Sequence, residues 1–269
     1  MLCVLAFPDH TRAVYSPSTS VYSRKVFTGC HYSFRNLKPM SNIYSPNLPD
    51  CRPYLITPPA FDPTPFAQLL AAALDAGNIN SAQVWMPEAE ADDVKRALEA
   101  LLPVCHQRDV ALLVCDHVDL VAACGADGVH LARRPEDAED VSDVQNARKA
   151  LGDEVIIGAS CYASRHRALI AAEKCADYVS FGPCFASDNT TYTDYLELEL
   201  LSWWSTHIEV PAVAIGGITS DNCGDLVKTG VDFVATSGGV WNHPDGPAKA
   251  VTAFNEAIAR AQEEAGGKI

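Results

Sequence analysis

From residue 51 onward, short and mostly apolar runs alternate with longer stretches whose apolar positions recur every third or fourth residue. The short runs at 54–57, 83–86, 111–115, 128–131, 155–160, 178–182 and 212–215, and a last one opening at Phe233, read as strands. Between them the helical spacing predicts helices at 66–74, 118–123, 141–151, 165–175, 195–204 and 247–261. Another helix is opened by Asp92 or Asp93 and carries Val94, Leu98, Leu101 and Leu102 on one face, and one more passes through Leu226 and Val227. A strand apolar at every position is buried on both faces, which implies parallel pairing under a layer of helices. Eight such strand-helix units in about 210 residues predict an α/β fold, a (β/α)8 TIM barrel. The barrel is expected over 51–265, after an irregular or disordered extension over 1–50 that is rich in Ser, Tyr and Pro and holds no period. An open doubly wound sheet is the alternative, and the lack of a GxGxxG after the first strand weighs against its dinucleotide-binding form.

Composition narrows the function more than the fold. The chain has 269 residues, 48% of them hydrophobic, and a net charge of −14, so it can fill a large core but offers little to a phosphate backbone. Nucleic acid is therefore not expected as a partner, and no apolar run approaches the roughly twenty residues that cross a bilayer. Ten cysteines without a CxxC suggest buried thiols, such as Cys115 and Cys175, in a reducing cytoplasmic setting. Residues 2–7 are too short for a secretory core, and Met40 is read as the true start of translation. A homo-oligomer is left open.

In such a barrel the chemistry gathers where strands end. Those positions are Thr57, Gln83, Trp85, Asp116, His130, Ser160, Pro183, Cys184, Gly216, Gly217, Ser237, Gly238 and Gly239. The Gly216-Gly217 and Ser237-Gly238-Gly239 turns, following the last two strands, predict a phosphate cradle of free amides. Asp116 is placed either to hold a divalent cation through water and a substrate phosphate or to cap the next helix. Ser160 reads equally as a ligand contact or a satisfied turn, and His130 as a packed, hydrogen-bonded histidine. Cys115, Cys161 and Cys184 approach the same end, as inert thiols or as a redox-sensitive cluster.

Five segments in this order, Tyr54-Leu-Ile-Thr57, Ala126-Asp-Gly-Val-His-Leu131, Ile157-Gly-Ala-Ser160, Ala176-Asp-Tyr-Val179 with Phe181-Gly-Pro183, and Val213-Ala-Ile-Gly-Gly-Ile218, carry a family likeness. Over about 52–262 the chain resembles thiamine phosphate synthase and its relative, the TenI-type thiazole tautomerase. The resemblance implies a transferase of thiamine biosynthesis that joins hydroxymethylpyrimidine diphosphate to thiazole phosphate, with Mg2+ assisting the departure of pyrophosphate. Its substrates would be small phosphorylated heterocycles. Carried over by position, Ser160 and Asp116 are expected to be catalytic, Asp116 also holding the metal. Gln83, His130, Gly216, Gly217, Ser237, Gly238 and Gly239 are expected to bind substrate. The pattern departs where the family reads Gln-x-Arg-x-Lys, since this chain has Gln83-Val-Trp85-Met-Pro87. The second metal-binding acid falls on Pro135, after Arg133-Arg134, and a Thr-Lys motif becomes Asn189-Thr190-Thr191. Those losses lead us to expect weakened diphosphate binding or a changed substrate. Two alternatives follow: a tautomerase using Tyr162 or Cys161, and a non-catalytic barrel that binds a phosphorylated metabolite or a partner enzyme.

Overall fold

Eight parallel strands close into one barrel in chain order, the last pairing with the first through Arg52 against Phe233 and Leu55 against Thr236. The computed structural model describes residues 50–132, 141–187 and 195–266. The strands are β1 Arg52–Ile56, β2 Ser81–Val84, β3 Ala111–Cys115, β4 Gly128–Leu131, β5 Ile156–Ser160, β6 Tyr178–Phe181, β7 Ala212–Ile215 and β8 Phe233–Thr236. The helices are α1 Pro63–Leu74, α2 Ala91–His106, α3 Val118–Cys124, α4 Ser142–Leu151, α5 Arg165–Glu173, α6 Leu198–His207, α7 Cys223–Lys228, α8 Gly238–Trp241 and α9 Pro247–Gly266. The closed barrel excludes the open sheet. No helix among the described residues is long and apolar enough to cross a membrane. All of the expected extension but Asp50, Met40 included, lies outside the described residues.

Two cores account for the strands' continuous apolar character. One fills the barrel with Tyr54, Ile56, Leu113, Tyr178, Val213 and Ala235. The other lies between barrel and helices, where Leu112, Val129, Val179 and Val234 meet Leu98, Leu101, Trp204, Leu226 and Phe254. Burying each of these larger side chains contributes roughly 1.5–3 kcal/mol relative to leaving it in water. Trp204 satisfies its one polar atom by donating from Nε1 to the Val210 carbonyl at 2.8 Å.

The N-terminal rim repeats one device. Asp127, Asp177 and Asp232 stand just before β4, β6 and β8, and each clamps one residue of the preceding strand from both sides. Their Oδ2 atoms accept from the amides of Leu112, Ile157 and Ala212 at 2.8, 2.7 and 2.8 Å. Their own amides donate back to the carbonyls of those residues at 3.0, 2.7 and 3.1 Å.

Some boundaries differ from expectation. β2 starts at Ser81, earlier than 83–86, because Ser81 and Ala82 pair with Ala111 and Leu112; it ends before Trp85, whose amide donates to Thr57 Oγ1. α6 starts at Leu198 because the preceding segment is held extended by the Leu196 amide, which donates to the Pro183 carbonyl at 2.8 Å. Cys175 is half-buried and disulfide-bonded rather than the buried thiol expected, at a left-handed turn with φ of 69°.

Candidate functional site

The two glycine turns lie side by side at the C-terminal rim. Gly216 and Gly217 take φ values of 101° and 65°, a region that residues with a Cβ rarely occupy. At Gly217 a Cβ would also fall 2.4 Å from the Ala186 carbonyl and 2.6 Å from that of Phe185. Asn222 holds this turn by donating from Nδ2 to the Gly217 carbonyl and accepting from the Thr219 amide. Thr236 Oγ1 donates to the Ile218 carbonyl at 2.9 Å, and a Cβ on Gly239 would sit 2.5 Å from the same oxygen. As the first residues of α8, Gly238 and Gly239 have no carbonyl one turn back within their helix to receive their amides. Ser237, just before them, donates its hydroxyl to the Thr57 carbonyl at 3.1 Å, tying the turn to the end of β1.

A second feature fills the mouth below these turns. Gln83, His130 and Ser180 are buried, yet each is hydrogen-bonded. Gln83 Oε1 lies 3.1 Å from Tyr54 Oη, which lies 3.1 Å from Tyr178 Oη. Tyr178 Oη is 2.8 Å from His130 Nδ1, His130 Nε2 is 2.9 Å from Ser160 Oγ, and Ser160 Oγ is 3.4 Å from Ser180 Oγ. Six side chains from β1, β2, β4, β5 and β6 are thereby linked across the barrel. Gly158 makes room for this, since a Cβ there would stand 2.0 Å from the Tyr178 ring. Burial lowers the His130 pKa to about 4, more than the nearby Asp116 carboxylate raises it, so the imidazole is neutral at physiological pH.

Asp116 sits at the end of β3 with a left-handed φ of 62° and an exposed side chain. It does not cap α3: that helix starts after His117 without a side-chain cap, and Asp116 Oδ1 instead accepts from the Ala132 amide at 2.8 Å. No group of three His, Cys, Asp or Glu side chains that could cage a metal occurs among the described residues. The donor set still suits a magnesium ion shared with a diphosphate, which takes one or two carboxylates and fills its remaining positions with phosphate oxygen and water. Asp116 Oδ2, approached among the described residues by Cys115 Sγ at 3.4 Å, is the oxygen open to that role.

The thiols read as structural. Cys161 and Cys184 belong to the outer core, and burial pushes both up to about 12. Burial and the Asp116 carboxylate together raise Cys115 well above the ordinary thiol range. A redox cluster at the mouth, and Cys161 as an acid or base, are both ruled out by this placement. Tyr162 donates to the Ala132 carbonyl at 3.3 Å. Arg133, Arg134, Pro135 and Asn189-Thr190-Thr191 lie outside the described residues.

Sequence reasoning passed over four residues that the fold brings to the site. Tyr54 and Tyr178 were legible only as strand residues, and Ser180 only as part of an apolar run. Arg167, in the first turn of α5, is buried beneath the mouth and donates from Nε to the Ser160 carbonyl at 3.0 Å. A charged residue on the inner stripe of a helix was the one available signal for it.

Comparison with known proteins completes the picture. The family model described as thiamine monophosphate synthase matches residues 53–240. A thiamine-phosphate synthase of Rhodospirillum centenum is 47% identical over 209 residues, covering 78% of this chain and 98% of that protein. One from Hyphomonas neptunium is 42% identical over 212 residues, covering 77% and 93%. Among solved structures, thiamine phosphate pyrophosphorylase from Pyrococcus furiosus superposes with a TM-score of 0.67 at 30% identity, covering 78% of this chain and 96% of that one.

Proposed function

Because the chain belongs to the thiamine monophosphate synthase family, we propose that it is the transferase that family is named for. In the reaction the bond between the pyrimidine methylene carbon and the diphosphate oxygen breaks and pyrophosphate leaves. The thiazole ring nitrogen then bonds to that carbon, giving thiamine phosphate. The observation that carries the reading is the adjacency of the two glycine turns, joined through the Ile218 carbonyl at the rim where barrel enzymes hold phosphates.

The amides of Gly217, Gly238 and Gly239 would cradle the thiazole phosphate, with Gly216 and Ser237 shaping the turns. Gln83 and Ser160 would hold the pyrimidine, and buried His130 would orient Ser160 rather than exchange protons with substrate. Asp116 would hold Mg2+, which when bound offsets negative charge on the leaving pyrophosphate. A cytoplasmic location is proposed with it, to be read by cell fractionation; the homo-oligomer is a further proposal, read out by sedimentation.

The test is direct. Incubating the full chain with hydroxymethylpyrimidine diphosphate, thiazole phosphate and Mg2+ should release pyrophosphate and thiamine phosphate in equal amounts. No product at any substrate concentration overturns the proposal. One observation favours a second reading, in which the barrel binds a phosphorylated heterocycle without turnover: Trp85, half-buried at the end of β2, stands where the family carries a cation. Thiazole phosphate binding with no pyrimidine diphosphate binding, measured by calorimetry, would select it.

A further inference from the structure

The buried chain of six side chains has a direction. Tyr54 has a single hydroxyl proton, and Gln83 Oε1 can only accept, so Tyr54 donates to Gln83. With that proton committed, the contact between the two tyrosines requires Tyr178 to donate to Tyr54. Tyr178 is then left with lone pairs towards His130, so His130 Nδ1 must carry the hydrogen of the neutral ring. Nε2 is bare and accepts from Ser160, whose own oxygen is left to accept from Ser180.

We propose that this one-way relay, from Ser180 through Ser160, His130, Tyr178 and Tyr54 to Gln83, locks His130 as its Nδ1–H tautomer and fixes which polarity the mouth shows. Gln83 is left with its Nε2 hydrogens to donate, and Ser160 with a lone pair to accept. That pairing suits a heterocycle with a bare ring nitrogen and an exocyclic amino group, and opposes one with a ring N–H and an oxo group. Tyr178 and Tyr54 act as positioning residues, and so does His130, which the resemblance implied would bind substrate but which here acts through Ser160. A His130 ring protonated on Nε2 instead would need Tyr178 to donate to it, Tyr54 to donate to Tyr178, and Gln83 to turn an Nε2 hydrogen towards Tyr54, because each hydroxyl has one proton to give. The ligand class rests on the transferase reading given above; the tautomer does not.

The experiment therefore has two arms on the full-length chain. NMR with heavy nitrogen at histidine reads which ring nitrogen is protonated at neutral pH, and His130→Gln identifies the signal among the eight histidines. The expected result is hydrogen on Nδ1 and a bare, hydrogen-bonded Nε2; hydrogen on Nε2 overturns the relay. In the second arm Tyr178→Phe keeps the ring in the space left by Gly158 and removes only the hydroxyl. His130 should then populate both tautomers. Preference for the amino-pyrimidine diphosphate over its oxo analogue should fall roughly tenfold to a hundredfold, while KM for thiazole phosphate stays unchanged. Unchanged preference overturns the positioning role. If Tyr178→Phe does not fold, Tyr54→Phe cuts the same relay one link away and is read in the same way. A wild-type chain with the Nδ1–H tautomer but no turnover of either pyrimidine would sink the transferase reading and leave the relay intact.

Discussion

At the N-terminal rim of the barrel one device is used three times, whereas at the C-terminal rim the strands end in side chains of different chemistry and in two glycine turns. Below, Asp127, Asp177 and Asp232 each lock an odd-numbered strand to its even-numbered successor through the same pair of hydrogen bonds. Above, Gln83 and Trp85 flank the end of β2, Asp116 follows β3, His130 lies one residue before the end of β4, Ser160 ends β5, and glycine turns follow β7 and β8. A repeated clamp is what strand registration needs, since every parallel pair poses the same problem. A varied rim is what asymmetric substrates need, since each strand end meets a different atom. Stability and chemistry are thus separated along the strand axis by only four or five residues.

The largest expected effect tests the upper rim alone. Asp116→Ala should lower turnover about a hundredfold or more, equivalent to roughly 3 kcal/mol, with little change in thermal midpoint. Chelation of Mg2+ should do the same to the wild type, and should add little to the variant. Unchanged turnover in the variant would remove Asp116 from the metal site.

A pH series on stability comes next, and its sign follows from His130. The unfolded chain takes a proton on this residue near 6.5, the folded chain only near about 4, because burial disfavours the imidazolium. Between those values the unfolded state binds more protons, so stability must fall as pH drops from 6.5 towards 4, by up to about 3 kcal/mol. Asp232, raised by burial above its ordinary value, works with the opposite sign at the lower end of the range. Denaturant titrations should therefore show a flatter dependence in His130→Gln; an equally steep one would contradict the burial account.

How much of this was legible in the sequence varies with the physics involved. The eight strands and the closed parallel sheet followed from continuous apolar runs, and the glycine turns from Gly216-Gly217 and Gly238-Gly239. The relay did not follow. In strands buried on both faces, apolar patterning cannot say which residues point into the barrel and which towards the helices. Tyr54 and Tyr178 turn inward, while Leu55 and Val179 turn to the helices. Only the register across β5 and β6, pairing Gly158 with Tyr178, shows that a glycine on one strand houses a ring from the next. The aspartate clamp was half legible: Ala-Asp-x-Val was visible at 126 and 176, but its purpose lies in a partner fifteen or twenty residues earlier. Cys161 was misplaced towards the mouth for the same reason as the tyrosines were overlooked.

The lower rim gives a smaller and cleaner prediction. Asp177→Ala leaves the Ile157 amide and Arg148 without their carboxylate partner, and should cost about 2 kcal/mol in denaturant unfolding with kcat little changed. A loss of kcat as large as that of Asp116→Ala would mean the two rims are not separable. Smaller again, Trp85→Arg restores a cation at the end of β2 and should lower KM for pyrimidine diphosphate about tenfold without touching that for thiazole phosphate. A rise instead would show that Trp85 itself serves the site.

The most direct test of the account is calorimetry of thiazole phosphate binding to the wild type and to Gly238→Asp. Space at Gly238 is open, the nearest atom to an added Cβ being Asn242 Nδ2 at 3.4 Å, so the variant should fold. If the two glycine turns seat the phosphate, a carboxylate there should weaken binding by at least about tenfold, and less so at high salt. Equal affinity in both proteins, with both folded, would contradict the phosphate seat on which the functional reading stands.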